Sequence, residues 1–255
     1  KAAIGHWAKK VNDSAFALAD AFWPGPLTLL LEKADHVSPV VTGGLNTIGL
    51  RMPAHPALLA LLQHDNLSVA APSANLYKKL SPTSAPQVIA GLQGRIQAVL
   101  DGGVCQYGLE STIIDLTGEQ PTIVRQGPVS AAQISAVLGK PVLQPAEHSV
   151  AVPGNVRAHY QPDKKLYCYP AEQLISTLAN LAHPVALLHY SNIAAHPLIT
   201  SYPMPTDALA YGQQLYYTLF KADQAAVAAI LCELPPTGNA WSAIHDRLVR
   251  ASYHD

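Results

Sequence analysis

Apolar and polar positions alternate along the chain in two successive α/β patterns, separated by a stretch with no period. Asp13 or Ser14 is placed to cap a helix in which Phe16, Leu18, Ala19, Phe22 and Trp23 recur at near-helical spacing, and Pro24-Gly-Pro26 ends it. Leu27 to Lys33 reads as a strand. Thr47-Ile-Gly-Leu-Arg-Met52 alternates as another, which sets Thr47, Gly49 and Arg51 on one face. A short apolar helix, Ala57 to Gln63, leads into Leu67 to Ala71, whose small and β-branched residues ending at a proline predict a buried strand. Ser84 and Gln87 mark a capping box over a helix carrying Val88, Ile89 and Leu92, and Ile96 to Leu100 predicts a strand closed by Asp101-Gly-Gly103. Gly108 to Leu116 and Thr122 to Arg125, about the turn Thr117 to Pro121, predict a hairpin with Ser111 and Arg125 on adjacent strands. A second capping box, Ser130 to Gln133, opens a helix that Gly139 closes.

Periodicity is lost from Pro145 to Pro162, and loops of such length are usually linkers or functional. Beyond it, strands at Lys165–Tyr169, Val185–Tyr190 and Ala228–Cys232 alternate with helices at 171–182, 208–222 and 240–253, a pattern that implies a small parallel sheet with helices on its faces. Asp207 is a natural N-cap, and Trp241, Ile244 and Leu248 form an apolar stripe. No glycine-rich phosphate fingerprint follows the first of these strands, so nothing in this half indicates a cofactor.

Composition narrows the class. The 255 residues are 49% hydrophobic, enough for a core, and 16 Lys+Arg against 17 Asp+Glu give a charge of -1, which supplies no overall field for nucleic acid or membrane. Cys105, Cys168 and Cys232 stand far apart with no C-x-x-C pair, against a disulfide framework or zinc knuckle and in keeping with a reducing cytoplasm. No apolar run reaches the ~18 to 20 residues of a membrane span, and the first residues lack a signal-peptide core.

The candidate chemistry gathers after the strand predicted at 67–71, in Ala71-Pro-Ser-Ala-Asn75 and on to Ser81. Ser73, Asn75 and Ser81 offer neutral donors and acceptors that suit phosphate oxygens or a hydrated metal, with Lys78 and Lys79 nearby, although the same residue types also make ordinary turns. Arg51 at a strand end can hold a carboxylate bidentately, as recognition of an amino acid demands, or form a surface ion pair. Trp23 reads as a core anchor, and His159 as a hydrogen-bonding linker residue rather than a base. There is no nucleophile elbow and no H-E-x-x-H, so no catalytic nucleophile or resident metal is assigned.

In order along the chain stand Phe22-Trp-Pro-Gly-Pro-Leu-Thr-Leu29, Arg51-Met-Pro-x-His-Pro56, Ala71-Pro-Ser-Ala-Asn75, Asp101-Gly-Gly103, Glu110-Ser-Thr-Ile113 and Arg125-x-Gly127. Together they resemble the YrdC-like family, specifically its two-domain L-threonylcarbamoyladenylate synthases, and Val152-Pro-Gly-x-x-Arg-x-His-Tyr-x-Pro162 is similar to their linker. The resemblance implies a twisted mixed sheet with helices over residues 1–144, a linker over 145–163, and a small Rossmann-like parallel α/β domain over 164–255. It implies a nucleotidyltransferase that joins L-threonine, bicarbonate and ATP into threonylcarbamoyl-AMP, releasing pyrophosphate, with Mg2+ accompanying ATP. The product feeds threonylcarbamoylation of an adenosine in tRNA through downstream transfer proteins, and the compartment is the cytoplasm. Carried over residue by residue, Arg51, Ala71 and Ser111 would hold threonine; Thr47, Ser73, Asn75, Ser81 and Arg125 would hold ATP, with Tyr160 as a lid from the linker.

The family's N-terminal portion, with a Lys-x-Arg motif and a nucleotide-site strand, has no match in these residues. An open sheet edge or uncovered apolar face is therefore expected. A non-catalytic RNA-binding YrdC-like module is the alternative, weakened by the near-neutral charge and the retained Arg51, Ser73, Asn75 and Ser111. The carbamoyl-transferase relative of hydrogenase maturation fits less well, because the linker and trailing α/β domain follow the synthases.

Overall fold

The computed structural model describes residues 1–145, 148, 150–154 and 159–253. In chain order the elements are α1 (Ile4–Trp7), α2 (Asp13–Phe22), β1 (Leu27–Glu32), β2 (Thr47–Leu50), α3 (Pro56–His64), α4 (Ala85–Leu92), β3 (Thr112–Asp115), β4 (Thr122–Arg125) and α5 (Ala131–Leu138). They continue with β5 (Leu166–Tyr169), α6 (Ala171–Leu178), β6 (Val185–His189), β7 (Ile199–Pro203), α7 (Ala208–Gln224), β8 (Ala229–Glu233) and α8 (Ser242–Ala251). Two compact units result: Lys1–Pro72 with Glu110–Val152, and Ser73–Leu109 with Pro153–Asp255. The segment 73–109 thus clusters with the C-terminal half, where the expected division ran 1–144, 145–163 and 164–255.

The first unit is built on a sheet of order β2-β1-β3-β4. β1 and β3 run parallel, while the outer pairs are antiparallel, and a bulge lies between Ile113 and Ile114. On one face Leu27, Leu29, Leu31, Ile48 and Ile114 pack with Leu18 and Ala19 of α2 and Ile134 of α5. The cap of α2 is Asn12, whose side chain accepts from Ala15 N–H, rather than Asp13 or Ser14. Trp23 is the core anchor expected, buried and donating its indole N–H to Leu27 O at 2.7 Å. The Ser130–Gln133 capping box and left-handed Gly139 close α5 as the spacing predicts.

The second unit carries a wholly parallel sheet of order β5-β8-β6-β7. Leu174 of α6 packs with Val185, Leu187 and Leu231 on one face; Leu215 and Leu219 of α7 and Leu248 of α8 pack with Leu166, Ala186, Leu188 and Ile230 on the other. β6 is buried along its whole length, as a strand covered on both faces must be. Asp207 caps α7 by accepting from Ala210 N–H. Residues 105–109 lie against α7: Gln213 Nε2 donates to Cys105 O at 3.4 Å, and a Cβ on Gly108 would stand 2.2 Å from Gly212 O, so only glycine permits the approach.

Two predicted strands do not form. Residues 67–71 and 96–100 are irregular and largely exposed, with Val69 at 56% and Leu100 at 62%. Apolar composition alone makes no strand: the backbone needs a neighbouring ladder, and neither segment joins either four-stranded sheet. α3 likewise has no buried residue despite its apolar sequence. The capping box at Ser84 is also displaced. Gln87 Oε1 instead accepts from Thr83 N–H at 2.6 Å and Thr83 Oγ1–H at 3.0 Å.

Candidate active site

The face of the first sheet turned away from α2 and α5 carries the candidate chemistry. Strand alternation puts Thr28 and Leu30 of β1 there, together with Gly49, Ile113 and Val124. Leu30, Ile113 and Val124 form a small apolar floor, against which Val150 and Val152 pack. At one end of that floor lies a polar row. Thr28 and Ser111 share a hydroxyl hydrogen bond of 2.7 Å, and Arg125 donates from Nε to Ser111 O at 3.0 Å and from Nη2 to Ser111 Oγ at 2.9 Å. The register that sets Leu50 opposite Leu29 carries Arg51 to the level of Thr28.

Two guanidinium groups therefore flank two hydroxyls across four strands. The local sequence explains the geometry. A Cβ on Gly127 would stand 2.4 Å from Thr112 N and 2.5 Å from Glu110 O, so this glycine lets the chain after β4 press against the start of β3. Thr112 then turns inward, donating to Val129 O at 2.8 Å and accepting from Val129 N–H at 3.0 Å, while Ser111 faces outward. Arg51 is exposed as a residue, yet partial burial of its guanidinium lowers its pKa from the usual arginine value. It stays a cation at neutral pH, and a partly desolvated cation binds an anion more strongly than a fully hydrated one.

The other predicted residues divide. Ala71 is exposed near the end of the first unit's leading segment. Thr47 stands opposite Glu32 at the far end of β2, about 13 Å of strand from Arg51. There it lines a cavity of about 520 Å3 with Lys9, Glu32, Lys33, Asp35, Asn46 and Thr117. Lys9 donates to Asp35 in that cavity at 2.7 Å, and this bond holds the Asp35 carboxyl below its ordinary pKa.

Ser73, Asn75, Ser81 and Tyr160 belong to the second unit. Ser73 is exposed, while Asn75 braces its own turn, donating from Nδ2 to Leu76 O at 2.8 Å and Lys79 O at 3.0 Å. Ser81 is half-buried. Tyr160 is 2% exposed, enclosed in the unit's core rather than open to solvent. Thr28 was not among the predicted residues, although alternation from Leu27, Leu29 and Leu31 sets it on the opposite face. Arg247, 1% exposed, was not predicted either, since it interrupts the apolar stripe of α8.

A sheet face with two guanidinium groups, paired hydroxyls and a small apolar floor defines an α/β protein fitted to a carboxylate- or phosphate-bearing small molecule. Comparison with known proteins makes this more specific. Residues 1–127 match a family model described as "Telomere recombination", covering Sua5, YciO and YrdC, and residues 129–252 match "Threonylcarbamoyl-AMP synthase, C-terminal domain". The threonylcarbamoyl-AMP synthase of Pyrococcus abyssi is 33% identical over 96% of this chain and 75% of its own. That of Bacillus subtilis is 34% identical over 94% and 73%. The crystal structure of P. abyssi Sua5 complexed with L-threonine superposes with a TM-score of 0.84 at 32% identity, covering 96% of this chain and 76% of that one. A P. abyssi Sua5 variant in which an adjacent histidine and tyrosine are both alanine gives a TM-score of 0.85, also at 32% identity. The chain belongs to the two-domain, YrdC-like Sua5 family of threonylcarbamoyl-AMP synthases. Among the described residues no helix is long and apolar enough to cross a membrane.

Proposed function

We propose that this protein makes threonylcarbamoyl-AMP and pyrophosphate from L-threonine, bicarbonate and ATP, as a nucleotidyltransferase serving tRNA modification. The row Arg51, Thr28, Ser111, Arg125 carries the reading. Arg51 holds the threonine carboxylate, and the hydroxyls of Thr28 and Ser111 meet the amino acid beside the apolar floor. Arg125 orients Ser111 and adds positive charge where the carbamate and the α-phosphate meet. Ser73, Asn75 and Ser81 serve the phosphates. Mg2+ enters with ATP, taking most of its ligands from phosphate and water, as this ion commonly does. Among the described residues there is no group of three or more His, Cys, Asp or Glu able to hold a metal.

The threonine amine, as its free base, joins bicarbonate with loss of water to give a carbamate, and a carbamate oxygen then forms a bond to the α-phosphorus as the bond to the β-phosphate oxygen breaks. The second step needs no covalent enzyme intermediate, so alignment and charge neutralisation supply its catalysis. The test is threonine-dependent pyrophosphate release from ATP and bicarbonate, with mass spectrometry of the nucleotide product. Release independent of threonine, or salt-sensitive RNA binding without release, overturns the proposal.

A further inference from the structure

Among the described residues Gly49 is the only glycine that lies within a strand. Its backbone does not call for one: its φ lies outside the left-handed region, and it sits in regular register opposite Leu30 of β1. A glycine in such a place weakens a strand, so the reason for it lies in what its missing side chain would meet. A Cβ on Gly49 would stand 3.3 Å from the Thr28 methyl, Cγ2, with no other heavy atom within 4 Å apart from its chain neighbours. At that distance the methyl must give way.

Thr28 is branched at Cβ, so its methyl and its hydroxyl turn together about one stiff torsion. β1 lies between β2 and β3. With the methyl toward Gly49 on β2, the hydroxyl is directed to the other side, where it meets Ser111 Oγ at 2.7 Å just before β3. Burial decides which of the two hydroxyls donates. Ser111 is 3% exposed, and its Oγ already accepts from Arg125 Nη2 at 2.9 Å. Were it to accept from Thr28 as well, its own proton would be buried without a partner, which folded proteins avoid. Ser111 therefore donates to Thr28, and the proton of the half-buried Thr28 is left to face outward. The charged guanidinium at the head of this chain polarises it, so Thr28 is a stronger donor than an isolated hydroxyl. Register sets Arg51 opposite Thr28, on a strand about 4.8 Å away, and the two address one ligand.

We propose that Gly49 is a positioning residue for the amino-acid substrate. It holds Thr28 in the rotamer that completes the chain from Arg125 through Ser111 to Thr28, and the chain ends in a donor aimed at the ligand beside Arg51. Ser111 keeps one lone pair for an N–H or O–H of the same ligand. Gly49 acts only through Thr28. This rests on the reading of the row as the threonine site.

The test is calorimetric titration of L-threonine into the full chain carrying Gly49→Ala, Thr28→Ser or both, with Tm measured alongside. Gly49→Ala is expected to weaken threonine about tenfold, the scale of one hydrogen bond, with Tm unchanged or raised, since alanine costs a strand less than glycine does. Thr28→Ser keeps the hydroxyl and removes the methyl, and should weaken threonine no more than about threefold. On that background Gly49→Ala should cost less than about twofold, because the added Cβ has no methyl to displace. The full tenfold loss on the Thr28→Ser background would mean that position 49 acts without Thr28, and would overturn the proposal. So would a Tm that falls in step with affinity. Thr28→Val, which keeps the shape and removes the last donor, should match the loss of Gly49→Ala and decides the matter if that variant does not fold; affinity at the wild-type level in Thr28→Val overturns the chain. Wild type that binds no L-threonine would overturn the reading of the row, and this proposal with it, whereas equal binding by wild type and Gly49→Ala would overturn this proposal alone.

Discussion

The two sheets differ in what covers their faces. In the second unit helices pack on both sides, and β6 has no exposed position. In the first, helices α2 and α5 cover one side, while on the other Val150 and Val152 pack over Leu30, Ile113 and Val124, with Arg51, Thr28, Ser111 and Arg125 in a polar row at the end of that floor. The parallel sheet supplies rigidity; the mixed sheet gives up part of its cover for a site. Side-chain chemistry is divided the same way, since all 11 tyrosines and 3 cysteines fall in the second unit.

This contrast can be broken most forcefully in the doubly covered sheet. Leu187→Ala, at a fully buried position of β6, should destabilise the second unit by about 3 kcal/mol, the usual cost of a buried leucine cavity. Trp241 lies in that unit and Trp7 and Trp23 in the first, so urea melts of variants that keep Trp241 alone or Trp23 alone should show the loss at Trp241. An equal shift at Trp23 would mean that the units unfold as one.

On the face that carries the polar row the effect should appear in binding instead. Arg51→Ala should weaken threonine about 100-fold by calorimetry, the worth of a charge-assisted pair, with little change in the Trp23 melt. Thr28→Val should lose less, about tenfold, as one neutral hydrogen bond does. A large fall in stability in either variant would make this face part of the core rather than a site.

The two predicted capping boxes sharpen the comparison further. Ser130→Ala should cost about 1 kcal/mol because its hydroxyl accepts from Gln133 N–H, whereas Ser84→Ala should cost close to nothing, since that side chain makes no cap bond. Similar losses at both positions would contradict the displaced cap at Thr83 and Gln87.

The smallest effect is the dependence on pH. The Cys168 thiol is pushed well up, first by its hydrogen bond with Cys232 and then by burial, and burial is the leading cause of the raised Tyr211 phenol. Folding favours the neutral form of both, so their contribution is complete below the unfolded pKa values and is lost as pH rises past about 8.5 for the thiol and 10 for the phenol. The Trp241 melt should therefore fall over that alkaline range while the Trp23 melt holds. Cys232→Ser and Tyr211→Phe should flatten it.

Much of this was legible along the chain because it depends on near neighbours. The Ser130 to Gln133 cap, the 112–125 hairpin and the β-α alternation after residue 164 are set by residues a few positions apart. The short α1 and β7 were not read, being brief and weakly patterned. Residues 67–71 and 96–100 carried the composition of strands without becoming strands, because a ladder requires a partner that composition cannot name. For the site, Ser111 and Arg125 were legible as neighbours across a hairpin. Thr28 was visible only as the outward member of an apolar strand.

By itself the sequence determined the residue types, the strand alternation and the glycines, and it set Arg51 at a strand end. Only the tertiary structure decided that four strands in the order β2-β1-β3-β4 bring Arg51, Thr28, Ser111 and Arg125 to one level, and that Thr47 is left at the other end. It also decided that Tyr160 is enclosed beside Arg247. Local pattern fixes which way a side chain points along its own strand, whereas which strands become neighbours is set by the packing of faces far apart in the chain.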